Sequence, residues 1–192
     1  ASNDDTIRVA LIGAGGRGSG AASQALSTNG SVKLVAIADA FQDHIDQKLP
    51  GIQKAFGDRC AVDKDHQFVG LDAYQKVMAM PEVDLVILAT PPGFRPIHLE
   101  AAVAAGKHVF MEKPVATDAP GVRKVLEAVK VAKEKDLKIG VGLQRHHQKS
   151  YLETLQKIWD GAIGDVVAMR CYWNNPGVWD PRKTREQVSG EM

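Results

Sequence analysis

The sequence predicts an α/β protein built on a parallel, doubly wound sheet, and three observations support this fold class. Strand-like and helix-like segments alternate from residue 6 to about residue 147. Residues 83–89 are almost continuously apolar and 107–111 ends in the apolar run Val109-Phe110-Met111, as expected of parallel strands that helices cover on both faces. A glycine-rich turn joins the first strand candidate to the first helix candidate. Regular alternation of this kind favours a parallel sheet with helices on either side.

Hydrophobic periodicity and chain-breaking residues give the approximate bounds of each element. The strand candidates are 6–12, 32–38, 66–69, 84–89, 107–111 and 138–142. The helix candidates are 17–28, 41–56, 71–79, 95–105, 118–135 and 149–160.

The pattern changes near residue 148. The helix candidate 149–160 is followed by two glycines, and 165–173 alternates like a strand with one exposed face. One helix, one strand and a tail rich in Pro, Gly and charge are too little to bury a core of their own. We therefore predict a first domain over 1–147 and the incomplete start of a second, α+β domain over 148–192.

The turn after the first strand candidate has the pattern G-x-G-x-x-G over residues 13–18. Gly13 would allow the tight turn, Gly15 would let the backbone approach a pyrophosphate, and Gly18 would let helix and strand pack closely. The free N–H groups at the start of the helix, together with its dipole, would then face the phosphates. This context predicts that 1–147 is a dinucleotide-binding (Rossmann) domain.

The second strand candidate is followed by Asp39. It follows Gly18 by about 20 residues, the offset of the acid that binds an adenosine ribose in this fold. A carboxylate there would accept hydrogen bonds from both ribose hydroxyls and would repel a 2′-phosphate. Because Ala40, Phe41 and Gln42 offer no cation, we predict NAD as cofactor and NADP as less favoured. A helix N-cap role for Asp39, or a methyltransferase that binds S-adenosylmethionine, would also fit these features alone.

The strand candidate 107–111 runs into Glu112-Lys113-Pro114. The carboxyl ends of the strands face the nicotinamide end of a bound dinucleotide, so Lys113 could hold a substrate oxygen and carry its proton. Pro114 restricts Lys113 to extended conformations, and Glu112 could orient Lys113 or contact the cofactor. The alternative is an exposed Glu–Lys pair before a turn.

Two further strand ends carry candidate groups. Thr90-Pro91-Pro92 forms a stiff loop that could lie along the dinucleotide, and His98 could contact it or could be structural. Gln144 follows the last strand candidate and could reach the nicotinamide or the substrate. The residues predicted to contact the cofactor are Gly13, Gly15, Gly16, Arg17, Gly18, Asp39, Thr90, Pro91, Pro92, His98, Glu112 and Gln144.

The remaining histidines predict no metal site. His146 and His147 are adjacent, so their side chains would point in different directions in a helix or a strand. His44 and His66 carry no discernible functional signal.

Composition excludes several classes of protein. The formal charge is +1, which gives no electrostatic basis for binding nucleic acid or an anionic membrane. No apolar run approaches the roughly 20 residues that a membrane span requires.

Cys60 and Cys171 are far apart and are expected to be unpaired thiols. The sequence begins at Ala1, which indicates a processed or trimmed N-terminus; we expect a cytoplasmic protein, or a periplasmic one if an export signal preceded Ala1.

From Ile7 to about Trp173, the chain resembles the glucose–fructose oxidoreductase / inositol dehydrogenase (Gfo/Idh/MocA) family. Glu112-Lys113-Pro114 is the most specific of the shared motifs and argues against a methyltransferase. The other shared motifs are the glycine pattern, Asp39, Thr90-Pro91-Pro92 with His98, Ala105-Gly106-Lys107-His108-Val109, and Gly161-Ala162-Ile163-Gly164-Asp165-Val166 at the family's entry into its C-terminal domain.

The resemblance implies a two-domain, homo-oligomeric enzyme that oxidises a hydroxyl of a sugar or polyol with bound NAD(P). It assigns Lys113 to proton transfer and substrate holding. The family usually pairs this lysine with a histidine of the C-terminal domain, which is built on a large open sheet that also forms oligomer contacts. That histidine and most of the sheet are expected beyond Met192.

Three functions are consistent with these observations. The leading one is an NAD-dependent dehydrogenase of a sugar, polyol or derivative. The second is a glycosidase that oxidises its substrate transiently with held NAD, because Gly15-Gly16-Arg17-Gly18 is similar to the loop of such relatives. The third is a non-catalytic nucleotide-binding protein.

Overall fold

The computed structural model describes residues 5–174. The chain divides into two compact units, one ending at Gln144 and one beginning at Arg145.

The first unit contains one sheet of six parallel strands. The strands are β1 (Ile7–Ile12), β2 (Val32–Asp39), β3 (Gln67–Val69), β4 (Leu85–Leu88), β5 (His108–Met111) and β6 (Ile139–Val141). Their order in the sheet is β3-β2-β1-β4-β5-β6. This arrangement confirms the predicted α/β fold with a parallel, doubly wound sheet.

Helices separate the strands along the chain. They are α1 (Gly16–Leu26), α2 (Gln42–Phe56), α3 (Ala73–Met78), α4 (Arg95–Ala104) and α5 (Ala119–Glu134), with short 3₁₀ turns at Gly57–Arg59 and Gln144–His147. The bounds agree with the predicted helices to within a few residues. Within residues 5–174, no helix is both long and apolar enough to cross a membrane.

Each face of the sheet has its own hydrophobic core. Along β1, Ala10 and Ile12 pack on one face with residues of α3, α4 and α5. Val9 and Leu11 pack on the other face with residues of α1 and α2. Successive side chains of a strand point to opposite faces, so an uninterrupted apolar strand is what a sheet covered on both sides requires.

The strand order places a topological switch point between β1 and β4. The chain adds β2 and β3 on one side of β1, then returns to add β4, β5 and β6 on the other side. Because all strands are parallel, their carboxyl ends share one edge of the sheet, and ligands of such sheets bind where the order reverses. The glycine-rich turn after β1 lies at this point.

The motif Ala105–Val109 lies at the opposite edge, before and at the start of β5. The buried Lys107 amine donates hydrogen bonds to the carbonyl oxygens of Met80 at 2.6 Å and Val83 at 2.7 Å. Lys107 therefore fixes the chain that enters β4 and is remote from the carboxyl edge.

The second unit contains α6 (Lys149–Trp159). The strand predicted at 165–173 is wrong, since these residues form no strand in the structure. Val167 and Met169 are 95% and 87% exposed. A strand needs a neighbour to pair its backbone groups, and the described part of this unit supplies none. The second domain stays a prediction, and its residues 175–192 lie outside the described residues.

Candidate functional site

The glycine-rich turn packs directly against the end of β4. Gly13 has a φ of +97°, in the region that favours glycine. A Cβ atom at Gly13 would lie 2.6 Å from the Thr90 nitrogen and 2.7 Å from the Ala89 carbonyl carbon. Both conformation and space therefore require glycine, and the turn is held next to the predicted 90–92 loop.

The other glycines of the turn divide into two kinds. A Cβ atom at Gly18 would lie 1.8 Å from the Gly13 carbonyl oxygen, so Gly18 lets α1 begin close to the turn. At Gly15 and Gly16, a Cβ atom would meet nothing within 4 Å. No side chain caps the start of α1, which leaves its first N–H groups available to an anion.

Asp39, at the end of β2, ties the glycine turn to the second strand. Its Oδ2 accepts a hydrogen bond from the Ala14 N–H at 2.6 Å, and its Oδ1 accepts one from the Phe41 N–H at 3.0 Å. His44 Nδ1 lies 3.0 Å from the same Oδ1. The helix cap is Phe41, not Asp39. The sequence analysis missed His44; its position in the first turn of the helix after a strand-end acid was the available signal.

A buried arginine joins two strand ends. Arg95, at the start of α4, is 1% exposed, and its guanidinium donates to the carbonyl oxygens of Thr90 and Glu112, with a longer contact of 3.4 Å to that of Pro114. Burial lowers the pKa of Arg95, and the negative charge of Glu112 raises it in part. Arg95 was not among the predicted site residues, although it is a cation three residues after the 90–92 loop. It fixes the backbone on both sides of Lys113.

Glu112 links β5 to the glycine turn. Its buried carboxylate accepts a hydrogen bond from Arg17 Nε at 2.8 Å, and its N–H donates to the Leu88 carbonyl at 2.9 Å. A Cβ atom at Gly142 would lie 2.8 Å from Glu112 Oε1, so glycine leaves room for the carboxylate after β6. The Arg17 side chain is half exposed. The ion pair thus connects the predicted pyrophosphate loop with the residue beside Lys113.

The other predicted residues lie at the carboxyl ends of β4, β5 and β6. Lys113 is exposed directly after Glu112, and its peptide bond to Pro114 is cis. Pro91 is exposed and Pro92 is half-buried, and their carbonyl oxygens accept the first hydrogen bonds leading into α4. Gln144 is exposed and begins the 3₁₀ turn after β6.

His98 supports the 90–92 loop from inside. It is 5% exposed, its Nδ1 lies 3.1 Å from Thr90 Oγ1, and its ring contacts that of Tyr74 at 4.3 Å. Burial and then the charge of Arg95 lower the pKa of His98 to about 4. Near neutral pH the imidazole is therefore uncharged. Its direct contact with a cofactor stays a prediction.

Within residues 5–174, no group of three or more His, Cys, Asp or Glu residues could hold a metal ion. Cys60 is buried and Cys171 is exposed, and both are free thiols. Burial raises the pKa of Cys60, which makes its thiol less reactive.

A parallel sheet with a glycine-rich turn at its switch point defines the dinucleotide-binding class of α/β proteins. Residues 7–143 match the family described as "Oxidoreductase family, NAD-binding Rossmann fold". The chain belongs to this family, Gfo/Idh/MocA, and carries its NAD-binding Rossmann fold.

Individual relatives agree with this membership. An inositol 2-dehydrogenase of Rhizobium meliloti (strain 1021) is 34% identical over 171 residues, which are 89% of this chain and 46% of that protein. The structure of scyllo-inositol dehydrogenase from Lactobacillus casei with bound NAD(H) and scyllo-inositol is 25% identical, with a TM-score of 0.65 over 83% of this chain and 43% of that one.

A 3-ketoreductase from Actinomadura kijaniata, in complex with TDP-benzene and NADP, is also 25% identical, with a TM-score of 0.64 over 83% of this chain and 45% of that one. The chain spans about half the length of the curated relatives it matches.

The glycine geometry predicts that Gly18→Ala destabilises the protein by about 1–3 kcal/mol, because a Cβ atom 1.8 Å from a backbone oxygen forces the turn or α1 to shift. NADH affinity should fall with it. Gly16→Ala is the matched control for stability alone, since its Cβ atom meets open space in the folded chain. Urea unfolding and NADH titration measure both effects. Equal stability of the two variants would contradict this account of the turn.

The buried histidine predicts a loss of stability in mild acid. Folding lowers the pKa of His98 from 6.5 to about 4, so below pH 6.5 the unfolded chain binds a proton that the folded chain resists. The part of the folding stability that depends on an uncharged His98 is fully present above about pH 6.5 and is lost as the pH falls toward 4. Between pH 7 and pH 5, the free energy of unfolding of the wild type should therefore fall by about 1–2 kcal/mol more than that of His98→Gln, which has no imidazole to protonate. Identical pH profiles in urea unfolding would refute the assignment.

Proposed function

We propose that the protein containing this chain oxidises a hydroxyl of a sugar, inositol or related polyol to a ketone with NAD. The observation that carries the proposal is the position of Lys113. It is exposed at the carboxyl end of β5 and follows Glu112, whose carboxylate is 2.8 Å from Arg17 of the glycine turn. Relatives named inositol 2-dehydrogenase support a polyol substrate.

The residues of the turn fit a dinucleotide. A pyrophosphate would fit against the backbone at Gly15 and Gly16, where no atom fills the place of a side chain. It would accept hydrogen bonds from the first N–H groups of α1, which no side chain caps. Asp39 would bind the adenosine ribose. Arg17, being half exposed, would also reach an anionic group at the turn.

The remaining cofactor candidates would flank the nicotinamide half. The loop 90–92, held by Arg95 and His98, would lie along the dinucleotide, with Glu112 and Gln144 at the neighbouring strand ends. NAD, when bound, supplies the acceptor for a hydride from the substrate carbon.

Lys113 would contact the hydroxyl oxygen of the substrate and take its proton as the hydride leaves. Oxidation of an alcohol removes one hydride and one proton, so a base at the oxygen completes the reaction. The backbone contacts of Arg95 with Glu112 and Pro114 would hold Lys113 in place on both sides. A fixed base reduces the loss of orientational freedom on reaching the transition state.

We further propose that the second unit begins a domain for substrate binding and homo-oligomer contacts. This proposal follows what the family resemblance implies, and the chain covers about half of the curated relatives' length. Steady-state activity is therefore to be measured on the protein made from its complete reading frame.

For that protein, Lys113→Met should lower kcat/KM for the polyol by roughly 10²–10⁴-fold, the range of a general acid–base group. NADH affinity should remain within about twofold, because the change leaves the glycine turn intact. Lys124→Met is the matched control, as Lys124 is an exposed lysine on α5 that pairs with Glu100. Full activity of Lys113→Met would exclude the proposed role.

The dehydrogenase and glycosidase mechanisms differ in their use of free NAD. A dehydrogenase should form one NADH for each ketone released, measured by absorbance together with product analysis. Cleavage of an aryl glycoside with no net NADH, and with solvent exchange of the proton next to the oxidised carbon, would instead establish the glycosidase. Binding of NAD without turnover of any sugar, polyol or glycoside would leave the non-catalytic function.

A further inference from the structure

Three of the hydrogen-bond acceptor positions of the Asp39 carboxylate are occupied, and one on Oδ2 remains. A carboxylate offers about four acceptor positions, two on each oxygen. The N–H of Phe41 and the imidazole of His44 take both positions on Oδ1, and the N–H of Ala14 takes one on Oδ2. The carboxylate that would exclude a 2′-phosphate is thus already engaged by the imidazole of His44.

His44 is placed to act on a bound ligand. Its side chain is 43% exposed, and the neighbouring Phe41 is 50% exposed. The two rings meet edge to face at 5.5 Å between centroids. Because the ionised carboxylate only accepts hydrogen bonds, His44 Nδ1 is the donor in the 3.0 Å contact with Asp39 Oδ1.

We propose that His44 is a specificity-determining residue that weakens the discrimination of Asp39 against NADP. By donating to Oδ1, His44 offsets the negative charge of the carboxylate and leaves Oδ2 as the ribose acceptor. The inference rests on the proposed binding of the adenosine ribose at Asp39. The sequence expectation concerned Ala40, Phe41 and Gln42, whereas His44 lies two residues further along the chain.

The 2′-phosphate is the group that distinguishes NADP from NAD, and an unshielded carboxylate repels it strongly over a few ångströms. An imidazole paired with that carboxylate reduces the repulsion without affecting a ribose hydroxyl to the same degree. Asp43, the acidic residue in the first turn of α2, adds negative charge on the same element. His44 therefore sets how strongly the acidic side chains at the start of α2 and the end of β2 repel a 2′-phosphate.

The test is the ratio of the dissociation constants for NADPH and NADH, measured by calorimetric titration of the protein made from its complete reading frame. His44→Ala should raise this ratio by about fivefold or more, because Asp39 loses its partner. His44→Lys should lower it by about fivefold or more, because a permanent cation replaces the imidazole. These opposite shifts cannot both arise from partial unfolding.

Two controls isolate the mechanism. His66 forms the same kind of pair with Asp63, at 2.6 Å, so His66→Ala removes an equivalent imidazole and should leave the ratio within about twofold. In an Asp39→Asn background, His44→Ala should change the ratio by less than about twofold, because His44 acts through the carboxylate.

The outcomes separate the possible failures. If Asp39→Asn lowers the ratio but both His44 variants leave it unchanged, Asp39 contacts the ribose and the proposal for His44 is overturned. If the effect of His44→Ala persists without the Asp39 carboxylate, His44 does not act through Asp39 and the proposal is also overturned. If Asp39→Asn leaves the ratio unchanged, or if neither nucleotide binds, Asp39 does not contact the ribose. The proposal for His44, which depends on that contact, is then overturned as well. Failure of polyol oxidation alone would leave all of these binding measurements intact.

Discussion

The carboxyl edge of the sheet depends on the buried guanidinium of Arg95. Its hydrogen bonds to the carbonyl oxygens of Thr90 and Glu112 join the ends of β4 and β5, which carry the 90–92 loop and Lys113. A buried cation must be compensated by polar partners, and here backbone carbonyl oxygens accept its hydrogen bonds while Glu112 lies close enough to contribute its negative charge. Arg95 Nε has no hydrogen-bond partner among the described residues. The Arg95 guanidinium thus holds the 90–92 loop and the segment that carries Lys113 in place together.

The glycine turn is held from both sides of the switch point. Asp39 accepts the N–H of Ala14 on the β2 side, while Glu112 pairs with Arg17 on the β5 side. Gly13 meanwhile packs against the backbone at Thr90. A turn that is already ordered before a ligand binds loses little conformational entropy on binding. Membership of the NAD-binding family is consistent with such a preformed turn.

Both acids of the site are already paired in this arrangement, Asp39 with His44 and Glu112 with Arg17. The charge that a ligand meets is therefore set by pairs and not by single carboxylates. Lys113 is exposed and stands apart from these pairs, which fits the substrate contact proposed for it.

The sequence by itself determined the alternating elements, the parallel sheet and the glycine turn, because hydrophobic period and the turn's spacing are local properties of the chain. Only the tertiary structure decided the contacts of Arg95 and His44, since folding brings their partners within hydrogen-bond reach. The strand expected at 165–173 failed for a related reason. Alternation gives a segment two faces, but a strand exists only where a neighbouring strand pairs with its backbone.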